Sequence, residues 1–436
     1  MKSLMWMWVE GCRYAYSTEG NMVRVFWALL LSFYFFIFGS WVLSFTSLDE
    51  GRNASAILNM LKSHDFLVPY YNCQPRFEKP PMLYWMVVLF SGLFGLNEFT
   101  ARMVSGLSAF GTAIMTYLIA KRYTDEETAK KSFLVLLTLP HLWIESRALT
   151  PEMLNTFFMM VSLYFFLSER ILLGWLFLSL AFLTKGPVGV FLTLLVYFLW
   201  RKDLKVFSWR GLAIFLAVGG SWYFYMFYEF GYDYFFRFFV YENVMRYTGQ
   251  RLTHPSPFYY YLLVVFATTI FYIPMYLKVI KNFKRELLPY LTWFLAVIVF
   301  FSLAKNKLHH YILFAYPPMS VILASTIEER YIKKVLLLSA GVLLAVVLAL
   351  GFYEGLRFTP KAYPLLESQE TPVYFYRSED SALVFYSKRC IPNEDDLQKL
   401  SGLVITKEKY IKDLPQCSLL TEGIEFDGKY VLLRCP

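Results

Sequence analysis

The residues able to do chemistry are gathered in a few short stretches, and the first is "SFTSLDEGRNASAILNML", beginning at Ser44. An uncharged run ends there in two adjacent carboxylates, Asp49 and Glu50, followed closely by Arg52. After Asp49 the apolar residues Ala54, Ile57, Leu58 and Leu61 recur at helical spacing, so the acids open a short amphipathic helix lying along a membrane. Capping accounts for the acids on their own: Asp49 as N-cap, Glu50 as a partner of the helix dipole. Arg52 does not fit that account. A cation in the first turn opposes the dipole and calls for an anion, either the neighbouring acids or a bound phosphate.

The second stretch, "NCQPRFEKPPMLYW", sets Glu78 and Lys79 before Pro80 and Pro81 and Tyr84 just after them. The double proline fixes the backbone, which suits a cation held where water ends; a lysine snorkelling at an interfacial helix end is the plain alternative. In "LTKGPVG", Gly186 and Pro187 force a break directly after Lys185 and leave backbone groups in need of partners. "FVYENVMRYTGQRLTHPSPFYYYL" supplies Asn243, Arg246 and His254, and "SLAKNKLHHYILFAYPP" supplies Lys305, Lys307, His309, His310 and Tyr311. One such loop is ordinarily an aromatic belt with solvated charges. Together they bring four or five cations to one face, which suggests an anionic lipid head group as ligand.

These residues need elements to hold them, and composition says which. Over 436 residues the chain is 57% hydrophobic, 20% aromatic and 17% charged, too apolar for a soluble protein and suited to a multi-span membrane protein. Uncharged runs near the length of a membrane-crossing helix fall at about 25 to 46, 99 to 120, 132 to 144, 153 to 168, 171 to 184, 187 to 200, 211 to 228, 258 to 277, 287 to 304, 310 to 327 and 335 to 353. That makes 11 spans. The loops "KRYTDEETAKK", "ER", "RKDLKVFSWR", "KVIKNFKR" and "RYIKK" hold 16 Lys or Arg and fall on one side when the spans alternate from a cytoplasmic N-terminus. The net charge of +9 therefore reports orientation rather than a nucleic-acid partner.

Asp49, Glu50, Arg52, Glu78, Lys79, Glu145, Arg147, Glu152, Lys185, Glu242, Arg246, Arg251, His254, Lys305, Lys307, His309 and His310 then share the outer side, which a polar cavity explains better than scattered charges do. "KPPMLYWMVVLFSGLFG" would invert every later loop if it crossed, so it reads as an in-plane or re-entrant helix. The first 24 residues read as a retained cytoplasmic lead.

In this order, Asp49-Glu50-x-Arg52, Phe77-Glu78-Lys79-Pro80-Pro81-x-x-Tyr84-Trp85, Asn97-Glu98-Phe99-x-x-Arg102, Thr184-Lys185-Gly186-Pro187, Asn243 to Arg246, and Ser302 to Leu308 with Tyr311-Ile312-Leu313 resemble the GT-C-fold membrane glycosyltransferases. The likeness runs from about residue 25 to 325 and is to the bacterial aminoarabinose (lipid A) transferases and the protein O-mannosyltransferase family. It implies transfer of a sugar from a polyprenyl phosphate to an acceptor hydroxyl on the outer face. It also implies a base at Asp49, donor-phosphate cations at Arg52 and Lys79, and first-loop helices in the membrane plane. Two departures stand out: the aminoarabinose transferases are longer, and Glu152 in "ALTPEML" stands where relatives commonly carry Asp.

The chemistry reads the same way without the family. Inverting transfer needs one carboxylate, Asp49, to take the acceptor proton, and cations, Arg52, Lys79, Arg246 and Lys307, to hold the phosphate that leaves with the lipid. Glu50, Glu78, Tyr84, Glu152, Lys185, Asn243, His254 and Tyr311 are the candidates for sugar or acceptor binding. No cofactor is required. No metal ligand set shows a definite spacing, and a divalent metal held by Glu78 and Glu152 is an allowed addition.

The expected fold is an all-α polytopic membrane domain over 1–354 with about 11 spans and in-plane helices in the first outer loop, followed over 355–436 by a small extracytoplasmic α/β domain. In that tail "TPVYFYRS", "SALVFYS", "SGLVITKEKY" and "GKYVLLRCP" read as strands, "NEDDLQKL" as a helical turn and "FDGKY" as a turn. Cys390, Cys417 and Cys435 predict one disulfide and a leftover thiol, with Cys73 in the first outer loop and Cys12 on the reducing side. The expected protein is a monomer of the inner membrane whose site faces the periplasm or exterior. Its partners are a polyprenyl-phosphate-linked sugar, membrane lipids and an acceptor that is lipid A, a protein or a glycan. A lipid-linked-sugar flippase would show mid-span charges and internal repeats, and a scaffold would give Asp49, Arg52 and Lys79 no reason to share a side.

Overall fold

The computed structural model describes residues 25–46, 48–367 and 371–436; the lead, with Cys12, lies outside the described residues. Helix α1 (Val25–Phe36) is followed by α2 (Asp49–Ser63), a small hairpin of β1 (Tyr70–Tyr71) and β2 (Gln74–Pro75), and α3 (Met82–Phe94). The chain then runs through α4 (Glu98–Tyr123), α5 (Glu126–Leu137), α6 (Pro140–Glu145), α7 (Pro151–Leu167), α8 (Ile171–Lys185) and α9 (Pro187–Arg201). The next helices are α10 (Trp209–Ile214), α11 (Ser221–Phe235), α12 (Met245–Thr248), α13 (Tyr260–Thr268), α14 (Tyr276–Lys281), α15 (Leu288–Leu303), α16 (Tyr316–Thr326) and α17 (Glu329–Glu354).

Among the described residues three helical stretches, Glu98–Tyr123, Arg285–Leu303 and Glu329–Glu354, are long and apolar enough to cross a membrane, or five if each of two bent pairs is one span. The remaining apolar helices are short or broken, and the breaks have local causes. The expected span 132 to 144 divides at Pro140, which opens α6 because proline fits the first turn. Residues 310 to 327 divide into 3₁₀ turns over His309–Ala315 and then α16. At 13 residues, α3 is roughly 20 Å long, too short to stand upright across a hydrocarbon core of about 30 Å.

The first expected span ends early, at Phe36, and the loose carbonyls beyond it are collected by two arginines. Arg147 donates to the carbonyls of Phe35 (2.8 Å) and Phe38 (2.9 Å). Arg102 donates to those of Ser40 (2.7 Å) and Leu43 (2.6 Å). Buried backbone acceptors that leave a helix need donors, and here cations supply them.

The tail is α/β: α18 (Phe358–Glu367), β3 (Val373–Phe375), α19 (Ser381–Ser387), β4 (Gly402–Lys407), β5 (Ser418–Glu425) and β6 (Gly428–Cys435). The sheet order is β3-β4-β6-β5, with β3 and β4 parallel and the other pairs antiparallel. Phe358, Leu383, Leu403, Ile405 and Leu432 form the core between the sheet and α18 and α19. "SALVFYS" is therefore a helix, not the expected strand. Asp380 caps it by accepting from the Ala382 N–H, and burial of Leu383, Val384 and Ser387 at helical spacing outweighs the β propensity of Val, Phe and Tyr. Strand β5 was not legible at all: its face is mostly exposed, so Ser418–Glu425 lacks an apolar alternation. The cysteine expectation is also corrected. Cys417 pairs with Cys435, and Cys390 pairs with Cys73, so two disulfides form and the second ties the tail to the first loop.

Candidate active site

Helix α2 sets the site's first wall. Its N-cap position is Leu48, at φ 68° with no side-chain cap, so Asp49 is the first helical residue and not a cap. Successive residues of a helix point about 100° apart. Asp49 thus lines a cavity of about 480 Å³ while Glu50 turns into the protein. Glu50 is buried in a bidentate pair with Arg102 (2.7 and 2.8 Å) and accepts from the Leu149 N–H at 2.8 Å. It cannot reach a sugar, which corrects that expectation. Gly51 lets the tail come close: a Cβ there would lie 2.4 Å from the Ala382 nitrogen of α19. Arg52 lines the cavity and pairs at 3.2 Å with Glu379 of the tail, so the anion its position demanded is supplied by the protein itself.

Lys79 comes from the segment between β2 and α3 and lines the same cavity. Among the described residues no carboxylate lies within ion-pair distance of it. Burial on its own would raise the Asp49 carboxyl, but the positive field of Lys79, helped by Arg76 and His310, outweighs burial and holds it below its ordinary value. Reciprocally, burial depresses Lys79, and Asp49 and Glu152 more than restore it, leaving it raised. At neutral pH the pair is carboxylate and ammonium.

The opposite wall is built from helix ends. Glu152 sits in the first turn of α7, where a carboxylate suits the dipole. Lys185 ends α8, and Gly186 at φ 85° makes the break before α9. Lys185 Nζ meets Glu152 Oε1 at 3.0 Å and lies 4.8 Å from the centre of the Tyr311 ring; His310 Nε2 is 3.5 Å from the same oxygen. Glu152 Oε2 and Asn155 Oδ1 are buried and have no hydrogen-bond partner among the described residues. A π-helical stretch, Phe236–Val244, carries Glu242 and Asn243 to the cavity, with Arg246 from α12. Arg246 pairs with Glu242 (3.0 Å) and donates to the Tyr311 hydroxyl (3.4 Å), and Arg251 pairs with the other Glu242 oxygen. His254 also lines the cavity; burial first, then Arg246, lowers its pKa, opposed by Asp49.

Of the residues expected at the site, Asp49, Arg52, Glu78, Lys79, Glu152, Lys185, Asn243, Arg246, His254 and Tyr311 line this one cavity. Three do not. Besides Glu50, Tyr84 is fully buried, and its hydroxyl donates to Asn53 Oδ1 at 3.1 Å. Lys307 is buried with its ammonium on the Ser256 carbonyl (3.0 Å), so it braces the loop instead of facing an anion.

Arg76 and Asn155 were missed. Arg76 lies 3.5 Å from Glu78 and donates to Asn53 Oδ1 at 3.0 Å. Asn155 follows Glu152 by three residues and so lies on the same helix face, a spacing that marks it in hindsight. For Arg76 the signal was weaker, since only the fold turns "RFEK" inward.

Comparison with known proteins bears on the fold that carries this arrangement. The family described as dolichyl-phosphate-mannose-protein mannosyltransferase matches residues 78–224. An Aquifex aeolicus protein described only as uncharacterised is 50% identical over 406 residues, 93% of this chain and 97% of its own. The undecaprenyl phosphate-alpha-4-amino-4-deoxy-L-arabinose arabinosyl transferase of Shewanella sediminis is 30% identical over 305 residues, 65% of this chain. The matched part spans 56% of that relative's length. A crystal structure of Cupriavidus metallidurans ArnT bound to undecaprenyl phosphate superposes with a TM-score of 0.78 at 20% identity, covering 95% of this chain and 98% of that one. The expected difference in length is thus visible in the sequence match and not in the superposition. With the fold, the ordered motifs and these relatives in agreement, the chain has the GT-C fold and resembles the membrane glycosyltransferases built on it.

Proposed function

We propose that the protein transfers a sugar, with inversion, from a polyprenyl-phosphate donor to an acceptor hydroxyl, on a site facing the periplasm. The first domain, 1–354, carries the reaction, and the tail, 355–436, meets the site through the Arg52–Glu379 pair. One observation carries the reading: Asp49 and Lys79, an ammonium with no carboxylate within ion-pair distance among the described residues, border one cavity. Asp49 takes the acceptor proton as the hydroxyl oxygen attacks the anomeric carbon. The bond to the phosphate oxygen breaks, and the polyprenyl phosphate leaves with both electrons, its charge met by Lys79, Arg52 and Arg246. The unpaired acceptors Glu152 Oε2 and Asn155 Oδ1 suit the donor hydroxyls of a sugar. A polyprenyl-phosphate donor is supported by the undecaprenyl phosphate-dependent transferases that the chain resembles, and the acceptor is lipid A, a protein or a glycan.

The test is turnover of a polyprenyl-phosphate sugar by the purified full chain. Asp49→Asn is expected to cut the rate by about 10²- to 10⁴-fold while polyprenyl phosphate still binds. Undiminished turnover removes Asp49 from the role of base. Mass spectrometry of glycolipids and glycoproteins from a deletion strain identifies sugar and acceptor.

A further inference from the structure

Behind the cavity wall lies a second cluster that the transfer reaction does not use. His141 and Glu145 stand one turn apart on α6, and His309 begins the 3₁₀ turns that precede α16. His141 Nε2 lies 2.7 Å from His309 Nδ1 and 3.3 Å from Glu145 Oε1, and His309 Nδ1 lies 3.2 Å from that same oxygen. A proton on His309 Nδ1 serves its contacts to both neighbours, but with the His141 proton on Nδ1 the remaining contact, His141 Nε2 to Glu145 Oε1, sets two lone pairs against each other. Three lone pairs converging on one cation give this triangle directly. With metal–nitrogen and metal–oxygen bonds of roughly 2.0–2.2 Å, ligand atoms stand about 3 Å apart.

We propose that His141, Glu145 and His309 bind one divalent transition metal. Two imidazoles and a carboxylate form a donor set suited to zinc and its neighbours, and three protein ligands leave a position open. The surroundings match a metal's second shell. His141 Nδ1 bonds the Tyr316 hydroxyl, which lies 3.1 Å from Thr268 Oγ1, so a proton on Nδ1 leaves the Nε2 lone pair facing the cluster. Access exists on one side, since the His309 side chain is 47% exposed while Glu145 is 3% exposed. His310 links the two sites: its Nδ1 is 3.9 Å from Glu145 Oε1, and its Nε2 faces Glu152 in the cavity. The metal thereby pins α6 to the His309–His310 turn and acts as a positioning element for the cavity wall. The sequence had allowed a metal at Glu78 and Glu152, but those carboxylates face Arg76 and Lys185.

The experiment uses the full chain in detergent, stripped with chelator and titrated with Zn²⁺ or Co²⁺, with metal content and the Co²⁺ visible spectrum as readouts. His309→Ala and Glu145→Gln are each expected to hold one metal equivalent fewer than wild type, and Tyr316→Phe to bind about 10- to 100-fold more weakly. Chelation of the wild type is expected to lower its melting temperature, and added Zn²⁺ to restore it, a readout that needs no variant to fold. A wild-type chain that binds no metal, or ligand variants that keep the full content, would overturn the assignment.

Discussion

Asp49 and Lys79 are a coupled pair, and coupling makes their roles separable. In the proposed reaction Lys79 makes a charge-assisted contact to phosphate worth about 1.5–3 kcal/mol, so Lys79→Ala should weaken polyprenyl-phosphate binding by roughly 10- to 100-fold. Donor affinity measured by calorimetry decides this, and an unchanged value undoes the clamp. The same substitution has a second consequence. Because the positive field of Lys79 holds the buried Asp49 carboxyl down, the wild-type rate should stay level as pH falls and decline only below the ordinary carboxylate range. In Lys79→Ala burial then dominates, and the acid limb of the pH–rate profile should move upward. An acid limb that stays in place would show that the two groups do not share a field.

Among the elements, α2 does two jobs with neighbouring residues: Asp49 faces the cavity while Glu50 anchors the helix. The anchor is Arg102, which satisfies Glu50 and the carbonyls left open where α1 ends. Breaking a buried pair by removing one partner costs about 3–5 kcal/mol, because the other charge stays buried and unpaired. Arg102→Met should therefore lower the melting temperature sharply, and Glu50→Gln added to it should recover part of the loss. If Arg102→Met melts like wild type, the pair is not what holds α2 in place. Arg357 plays a similar part further on, fully buried between Glu425 and the Ser44 and Phe45 carbonyls. Short helices broken by Pro140 and Gly186 are what allow polar residues from several helix ends to meet at one depth.

For the whole molecule, the tail is docked and not appended. Its contacts include the Cys73–Cys390 disulfide, the Arg52–Glu379 pair and the packing of α19 on Gly51. A disulfide closing so long a loop is worth about 2–4 kcal/mol, so Cys390→Ser should lower the thermal midpoint under non-reducing conditions and leave no further effect of a reductant at that position. Equal midpoints for variant and wild type would remove the staple from the account. The tail also carries an unusual carboxyl. Burial first, and then the neighbouring Glu425, pushes Asp380 up to about 7. Its proton has a place: Asp380 Oδ2 lies 2.8 Å from Thr359 Oγ1, which lies 3.0 Å from Glu425 Oε1, so a protonated Asp380 donates to Thr359 and Thr359 to Glu425. The folded tail holds this proton where the unfolded chain, with a carboxyl near 3.9, has lost it. Stability from this group is therefore complete below about pH 4 and is lost as pH rises to about 7. Midpoints at pH 5 and pH 7.5 should differ in wild type and converge in Asp380→Asn.

What the sequence by itself determined is the class of molecule and the gathering of its charged helix ends around one cavity. Apolar run lengths, one-sided basic loops and the order of the motifs are local properties, and ten of the thirteen expected site residues line one cavity because charges at helix ends are costly anywhere else. Only the tertiary structure decided how neighbours along the chain divide between roles. Glu50 and Asp49, or Lys307 and His310, differ by a rotation about a helix or turn that sequence spacing alone does not orient. The partner of Cys390, the carboxylate on Arg52 and the His141–Glu145–His309 triangle likewise join residues far apart in the chain, and such contacts exist only once the core has packed.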